Sequence, residues 1–254
     1  MAPLRRFLII LSFLLITGLL LFVVFKNSYF YLVITVCLFL SFLLTYILIV
    51  KSVKSWPVRL VHSFFSPLLL GSGVFYLVFV EDSLIKVIIA VLASALFLVY
   101  LNKLENQFFS QSPRPAEQQN QLLIFLETVA SFFIAAGFFG LRDFLNISIG
   151  WLALFFFVIF AVLIQYCFFY QDKPKLNRLL YNLVITLILL QLFWATAILP
   201  LVYYLKGLII SFFYLIIMES VIGTSASLSK KAIRNYLIVF LIVLLALLYT
   251  SRWF

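Results

Sequence analysis

The sequence predicts an all-α membrane protein, a polytopic helical bundle with about nine transmembrane helices. Of its 254 residues, 66% are apolar and only 10% are charged, whereas apolar residues make up roughly half of a soluble domain. The mean hydropathy is +1.24, and the apolar residues form repeated runs of about 20, the length that crosses a bilayer as a helix. This composition excludes a soluble enzyme, a disordered chain and a small disulfide-stapled domain.

Helices are predicted rather than membrane strands because the apolar runs are nearly continuous. Strands of a membrane barrel alternate apolar and polar residues over segments of about ten residues. The runs at 7–25 and 29–50 show no such alternation. Without water to satisfy the backbone, runs of this length form α-helices, which close their hydrogen bonds internally.

Short polar or charged breaks delimit the predicted spans. Lys26 to Ser28 separate the first two spans, Glu81 to Ser83 precede the fourth, and Arg142-Asp143 follow the fifth. The predicted spans are 7–25, 29–50, 60–80, 84–101, 122–141, 147–170, 179–199, 202–222 and 235–251. Counts of eight and ten are the alternatives, because the division near Pro200 is the least certain.

One longer polar segment, 102–121, separates the first four spans from the last five. Its Gln, Ser and Pro residues are typical of a flexible connector rather than of a folded domain. We therefore treat residues 1–254 as a single transmembrane domain with a cytoplasmic connector.

Basic residues predict the orientation, because cytoplasmic loops are enriched in Lys and Arg. In the nine-span arrangement, 13 of the 18 Lys and Arg residues lie on the side of the N-terminus. We expect a cytoplasmic N-terminus and an outside C-terminus, in the cytoplasmic (plasma) membrane. The expected partners are anionic lipid headgroups and other membrane proteins. Nucleic acid is not expected, since the charge is divided among short loops.

The residue types that usually carry catalysis or hold a metal are sparse. The sequence has one histidine, His62, and two cysteines, Cys37 and Cys167, which lie inside apolar spans. It has no C-x-x-C or H-E-x-x-H pair, no phosphate-binding glycine loop and no G-x-S-x-G. No catalytic residue, metal or cofactor is predicted, and the balance is against an enzyme.

Polar residues inside the spans are the candidate functional residues, since ionisable groups are costly there. Glu127 and Glu219 are the two carboxylic acids in such positions. Gln165, Asn182 and His62 fall at similar predicted depths, so we expect one polar cluster in the cytoplasmic half of the bilayer. The alternative is that each side chain independently reaches the headgroups from a helix end.

The third span carries Pro67, Gly71 and Gly73, the residues best suited to a helix break. Broken helices line the sites of many transporters. Close packing through small residues is the alternative explanation, and we favour it.

Three functions fit these observations. The function they favour is binding or transport of a small molecule, ion or lipid from the cytoplasmic side. The alternatives are a non-catalytic membrane assembly partner and a membrane enzyme that acts on a lipid-linked substrate. The missing catalytic motifs disfavour the enzyme, and the few helix breaks disfavour an independent transporter.

Overall fold

The computed structural model describes residues 2–25, 29–50, 53, 56–109, 116–169 and 175–222. This part of the chain forms eight helices and confirms the all-α prediction. The helices are α1 (Ala2–Phe25), α2 (Phe30–Val50), α3 (Trp56–Leu77), α4 (Ser83–Phe109), α5 (Ala116–Leu145), α6 (Ile149–Phe169), α7 (Lys175–Ile198) and α8 (Tyr203–Ile222). All eight are long and apolar enough to cross a membrane. The predicted ninth span, 235–251, lies outside the described residues.

Two helices extend into the segment predicted as a connector. α4 continues to Phe109 and α5 begins at Ala116, so helix covers most of 102–121. Residues such as Lys, Leu, Glu and Gln in these extensions favour helix in water as well. The 27 residues of α4 make a helix about 40 Å long, which exceeds the roughly 30 Å hydrocarbon core. α4 and α5 therefore extend beyond the predicted spans 84–101 and 122–141. The assignment of 102–121 as a flexible cytoplasmic connector stays a prediction.

The helices belong to two compact units, Met1–Gln119 and Asn120–Phe254. In the first unit, α1 contacts α2 and α4, and α3 contacts the same two helices. α1 and α4 are antiparallel, since Arg6 near the start of α1 pairs with Glu105 near the end of α4, at 3.8 Å. The Ser66 hydroxyl of α3 donates a hydrogen bond to the Ser41 carbonyl of α2. In lipid the hydrophobic effect does not drive helices together. Helix association depends instead on such hydrogen bonds and on close packing through small side chains.

The second unit contains α5, α6, α7 and α8. The Arg142 guanidinium near the end of α5 donates a hydrogen bond to the Ala197 carbonyl near the end of α7 (2.8 Å). Lys206, near the start of α8, lies 3.6 Å from Asp143 of α5. The α5–α6 and α7–α8 turns therefore meet at one end of the unit, which we call the turn end.

Asn146 terminates α5 at the turn end. Its φ is 53°, in the left-handed region, and its N–H donates to the Arg142 carbonyl. Asn tolerates this conformation better than most residues and often occupies it just after a helix. The reversal directs the chain back into α6.

A chain of aromatic rings fills the core of the second unit. Phe139 stacks on Phe193 with ring centroids 4.7 Å apart, and Phe193 lies 4.5 Å from Phe156. Phe156 stacks on Phe160 at 4.0 Å, and Phe160 and Tyr214 form a T-shaped pair with ring centroids 6.0 Å apart. All five rings are buried. We call this set the aromatic column.

Candidate functional site

Glu127 of α5 and Tyr214 of α8 form a polar pair at the end of the aromatic column that lies farthest from the turn end. Both side chains are fully buried. The Tyr214 hydroxyl donates a hydrogen bond to Glu127 Oε2 over 2.6 Å. That length is typical of a hydroxyl bonded to a carboxylate. The carboxyl group predicted as functional thus has a defined donor.

Three contacts show how α5 and α8 position this pair. Lys206 pairs with Asp143, Gly207 approaches Ala136, and Tyr214 bonds Glu127, so the two helices are antiparallel neighbours. A Cβ added to Gly207 would lie 2.7 Å from the Cβ of Ala136 and 2.8 Å from its Cα. Only glycine allows this approach. Since residues 207 and 214 are seven apart, they lie on nearly the same face of α8, and the close approach at Gly207 brings the Tyr214 hydroxyl to Glu127.

At the other end of the column, Lys206 caps the aromatic rings. Its ammonium is buried and lies 5.7 Å from the centroid of Phe139. The ring face attracts a cation, and Asp143 supplies a negative charge beside it. Close-packed rings thus lie between the Lys206–Asp143 pair and the Glu127–Tyr214 pair.

Gln165 and Asn182, two further members of the predicted cluster, are hydrogen-bonded to each other. The Asn182 amide donates to Gln165 Oε1 at 2.9 Å and to the Ala161 carbonyl at 3.0 Å. The Thr186 hydroxyl contacts the Asn182 carbonyl and side-chain oxygen. This network joins α6 to α7 and satisfies polar groups that would otherwise face hydrocarbon.

Glu219 lies on α8, five residues beyond Tyr214, and is half-buried. At 100° per residue its Cα is turned about 140° from that of Tyr214. The two residues therefore use different faces of α8. A contact between Glu127 and Glu219 stays a prediction.

His62 belongs to the first unit. It is buried, and the Tyr100 hydroxyl donates a hydrogen bond to its carbonyl at 2.9 Å. The His62 ring meets the edge of Phe108, and Lys103 nearby on α4 is also buried. The expected association of His62 with the polar residues of the second unit stays a prediction.

The helix break considered at Pro67, Gly71 and Gly73 is absent, because α3 runs unbroken from Trp56 to Leu77. Proline removes the hydrogen bond to the carbonyl four residues earlier, here that of Ser63. The Ser66 hydroxyl lies 3.1 Å from this carbonyl and shares its single hydrogen between it and the Ser41 carbonyl, which compensates part of the loss. A Cβ on Gly71 would lie 3.3 Å from Leu38, so this glycine serves close packing of α2 on α3.

Sequence reasoning missed Tyr214 and the ion pair of Lys206 with Asp143. The sequence has 13 tyrosines, and nothing distinguishes Tyr214 among them except its heptad spacing from Gly207. Asp143 was placed in the break after the fifth predicted span and Lys206 inside the eighth, 202–222, with no partner predicted for either. Among the described residues, no three His, Cys, Asp or Glu side chains lie close enough together to hold a metal ion.

Comparison with known proteins gives no relative from which a role could be transferred. The chain matches no family model, no curated protein and no solved structure.

Proposed function

We propose that the protein binds or transports a small molecule, ion or lipid from the cytoplasmic side, with Glu127 as the central residue. The observation that carries this proposal is a fully buried carboxyl group, held by Tyr214, in the interior of an apolar helical unit. Ionisable groups are expensive within membranes and mark ion or substrate pathways more often than they serve packing.

The chemistry of the pair favours a positively charged ligand group. A carboxylate only accepts hydrogen bonds, and a phenol can both accept and donate. A proton, a metal cation or an amine could replace the Tyr214 hydroxyl on Glu127. Phe160, packed against Tyr214, could contact a cation through its ring face.

The position of Glu127 along α5 supports entry from the end opposite the turn end. Glu127 lies 16 residues before Asp143, or about 24 Å along the helix. It lies only nine residues, about 14 Å, from Gln118, where the apolar span begins. The aromatic column occupies the longer path. If the protein lies in the plasma membrane with the orientation that the basic residues predict, the shorter path opens to the cytoplasm.

Flux through purified protein in liposomes tests the proposal. The vesicles enclose a pH-sensitive dye, and gradients of Na⁺, K⁺ or methylammonium are imposed across them. We expect the wild type to transport at least one of these cations or to exchange it for protons. Glu127→Gln should abolish the flux, because it keeps a hydrogen-bond acceptor but removes the charge.

Glu105→Gln is the matched control, because Glu105 pairs with Arg6 in the first unit. This substitution should leave the flux unchanged. Equal flux in the wild type and in Glu127→Gln would contradict the proposal. A pure assembly role predicts no flux in any variant.

A further inference from the structure

Within the part of the chain that the structure describes, the outward face of α7 is exposed and carries a polar residue, Gln191. The buried residues of α7, including Ile185, Leu189 and Phe193, occupy one side of the helix. The opposite side is exposed and bears Gln191. Gln191 lies seven residues before the end of α7 at Ile198, or about 10 Å inside. Its side chain extends only about 5 Å, too short to reach the headgroups from there.

The exposed residues of α7 also include Leu183 and Ile188, and those that form one row through Gln191 repeat at alternating intervals of four and three. They are Leu180, Val184, Leu187, Gln191, Trp194 and Ile198. This is the spacing of a coiled-coil seam, in which one polar residue sets the register and the number of strands. We call these residues the α7 seam.

The spacing alone does not distinguish α7, because α6 exposes Trp151, Phe155, Val158 and Val162 with similar intervals. The polar residue of that face, Gln165, already accepts a hydrogen bond from Asn182. Gln191 is exposed at greater depth. A primary amide both donates and accepts, so two Gln191 side chains related by a twofold axis can exchange two hydrogen bonds.

We propose that the α7 seam is the interface with a second copy of this chain, joined by Gln191 paired across a twofold axis. An isologous contact places the same residue of both copies at the axis, and a self-complementary amide fits that position. Interhelical hydrogen bonds of this kind strengthen association in lipid.

Cysteine cross-linking of the purified protein in liposomes tests the contact. Leu187→Cys places a thiol on the seam one turn from Gln191. Val158→Cys is the matched control. α6 and α7 are antiparallel, with Phe156 stacked on Phe193, so Val158 lies at the depth of Gln191 but on the exposed face of α6. Unmodified protein, whose Cys37 and Cys167 are buried, gives the background.

We expect oxidation to cross-link Leu187→Cys into dimers several-fold more than Val158→Cys. Energy transfer between labelled copies at graded lipid ratios should show dimers about 3- to 30-fold weaker in Gln191→Leu, and Gln191→Asn should lose less. Equal cross-linking of the two cysteine variants would overturn the proposal. Unchanged association in Gln191→Leu, with a folded protein by gel filtration, would overturn it as well.

Discussion

Gly207→Ala should separate α8 from α5 and weaken the Glu127 site without altering any polar residue. The added Cβ would lie 2.7 Å from the Ala136 Cβ and 2.8 Å from its Cα and N. Favourable carbon contacts need about 3.5 Å or more, so the helices must move apart by roughly 0.8 Å. Overpacking of this kind costs about 1–3 kcal/mol. The same displacement would lengthen the Tyr214–Glu127 bond from 2.6 Å to about 3.4 Å, beyond the roughly 2.5–3.0 Å range of O–H···O hydrogen bonds.

The assay is unfolding in mixed micelles, followed by helical circular dichroism as the denaturing detergent increases. Gly18→Ala is the matched control, since a Cβ there has no atom within 4 Å and alanine favours helix. Adding Ala136→Gly to Gly207→Ala should restore only part of the stability, because backbone atoms of residue 136 remain in the way. Gly207→Ala with the stability of Gly18→Ala would refute this account of the α5–α8 contact.

Three further predictions concern other parts of the chain. Tyr214→Phe keeps the packing on Phe160 but removes the donor to Glu127, and should lower the unfolding free energy by about 1–3 kcal/mol; equal stability to the wild type would contradict the bond. A double-mutant cycle of Asn182→Ala and Gln165→Ala should give a coupling energy of about 0.6 kcal/mol, and a coupling of zero would show that the two amides act independently. Reporter fusions should place the 111–121 segment in the cytoplasm and Phe254 outside, and a cytoplasmic reporter after Phe254 would refute nine spans.

Hydropathy was sufficient to predict the helices but not where they end. Apolar runs indicate segments that lie within a lipid bilayer, and they predicted the positions of the eight described helices. The C-terminal end of α4 and the start of α5 extend beyond the predicted spans, because polar residues such as Glu105 and Gln118 also favour helix in water. Helix propensity in water determines those ends, and a hydropathy run does not record it.

The candidate site could be predicted only in part for a similar reason. Depth along the helices brought Gln165 and Asn182 to one level, and the structure joins them. Depth carries no information about which face of a helix a residue occupies. The partnership of Glu127 with Tyr214 depends on the rotation of α8 and on the close approach at Gly207. The compensation of Pro67 by Ser66 likewise depends on local geometry.

The most direct test of the proposed role of Glu127 is its labelling by a hydrophobic carbodiimide, located by mass spectrometry of the purified protein in liposomes. The reagent modifies a carboxyl group in apolar surroundings if that group takes up a proton and becomes accessible. The proposed function predicts labelling of Glu127 that Na⁺, K⁺ or methylammonium slows by competing for the site. A binding role for this carboxyl would be contradicted if Glu127 stays unlabelled while the half-buried Glu219 reacts. It would also be contradicted if none of these cations changes the labelling rate of Glu127.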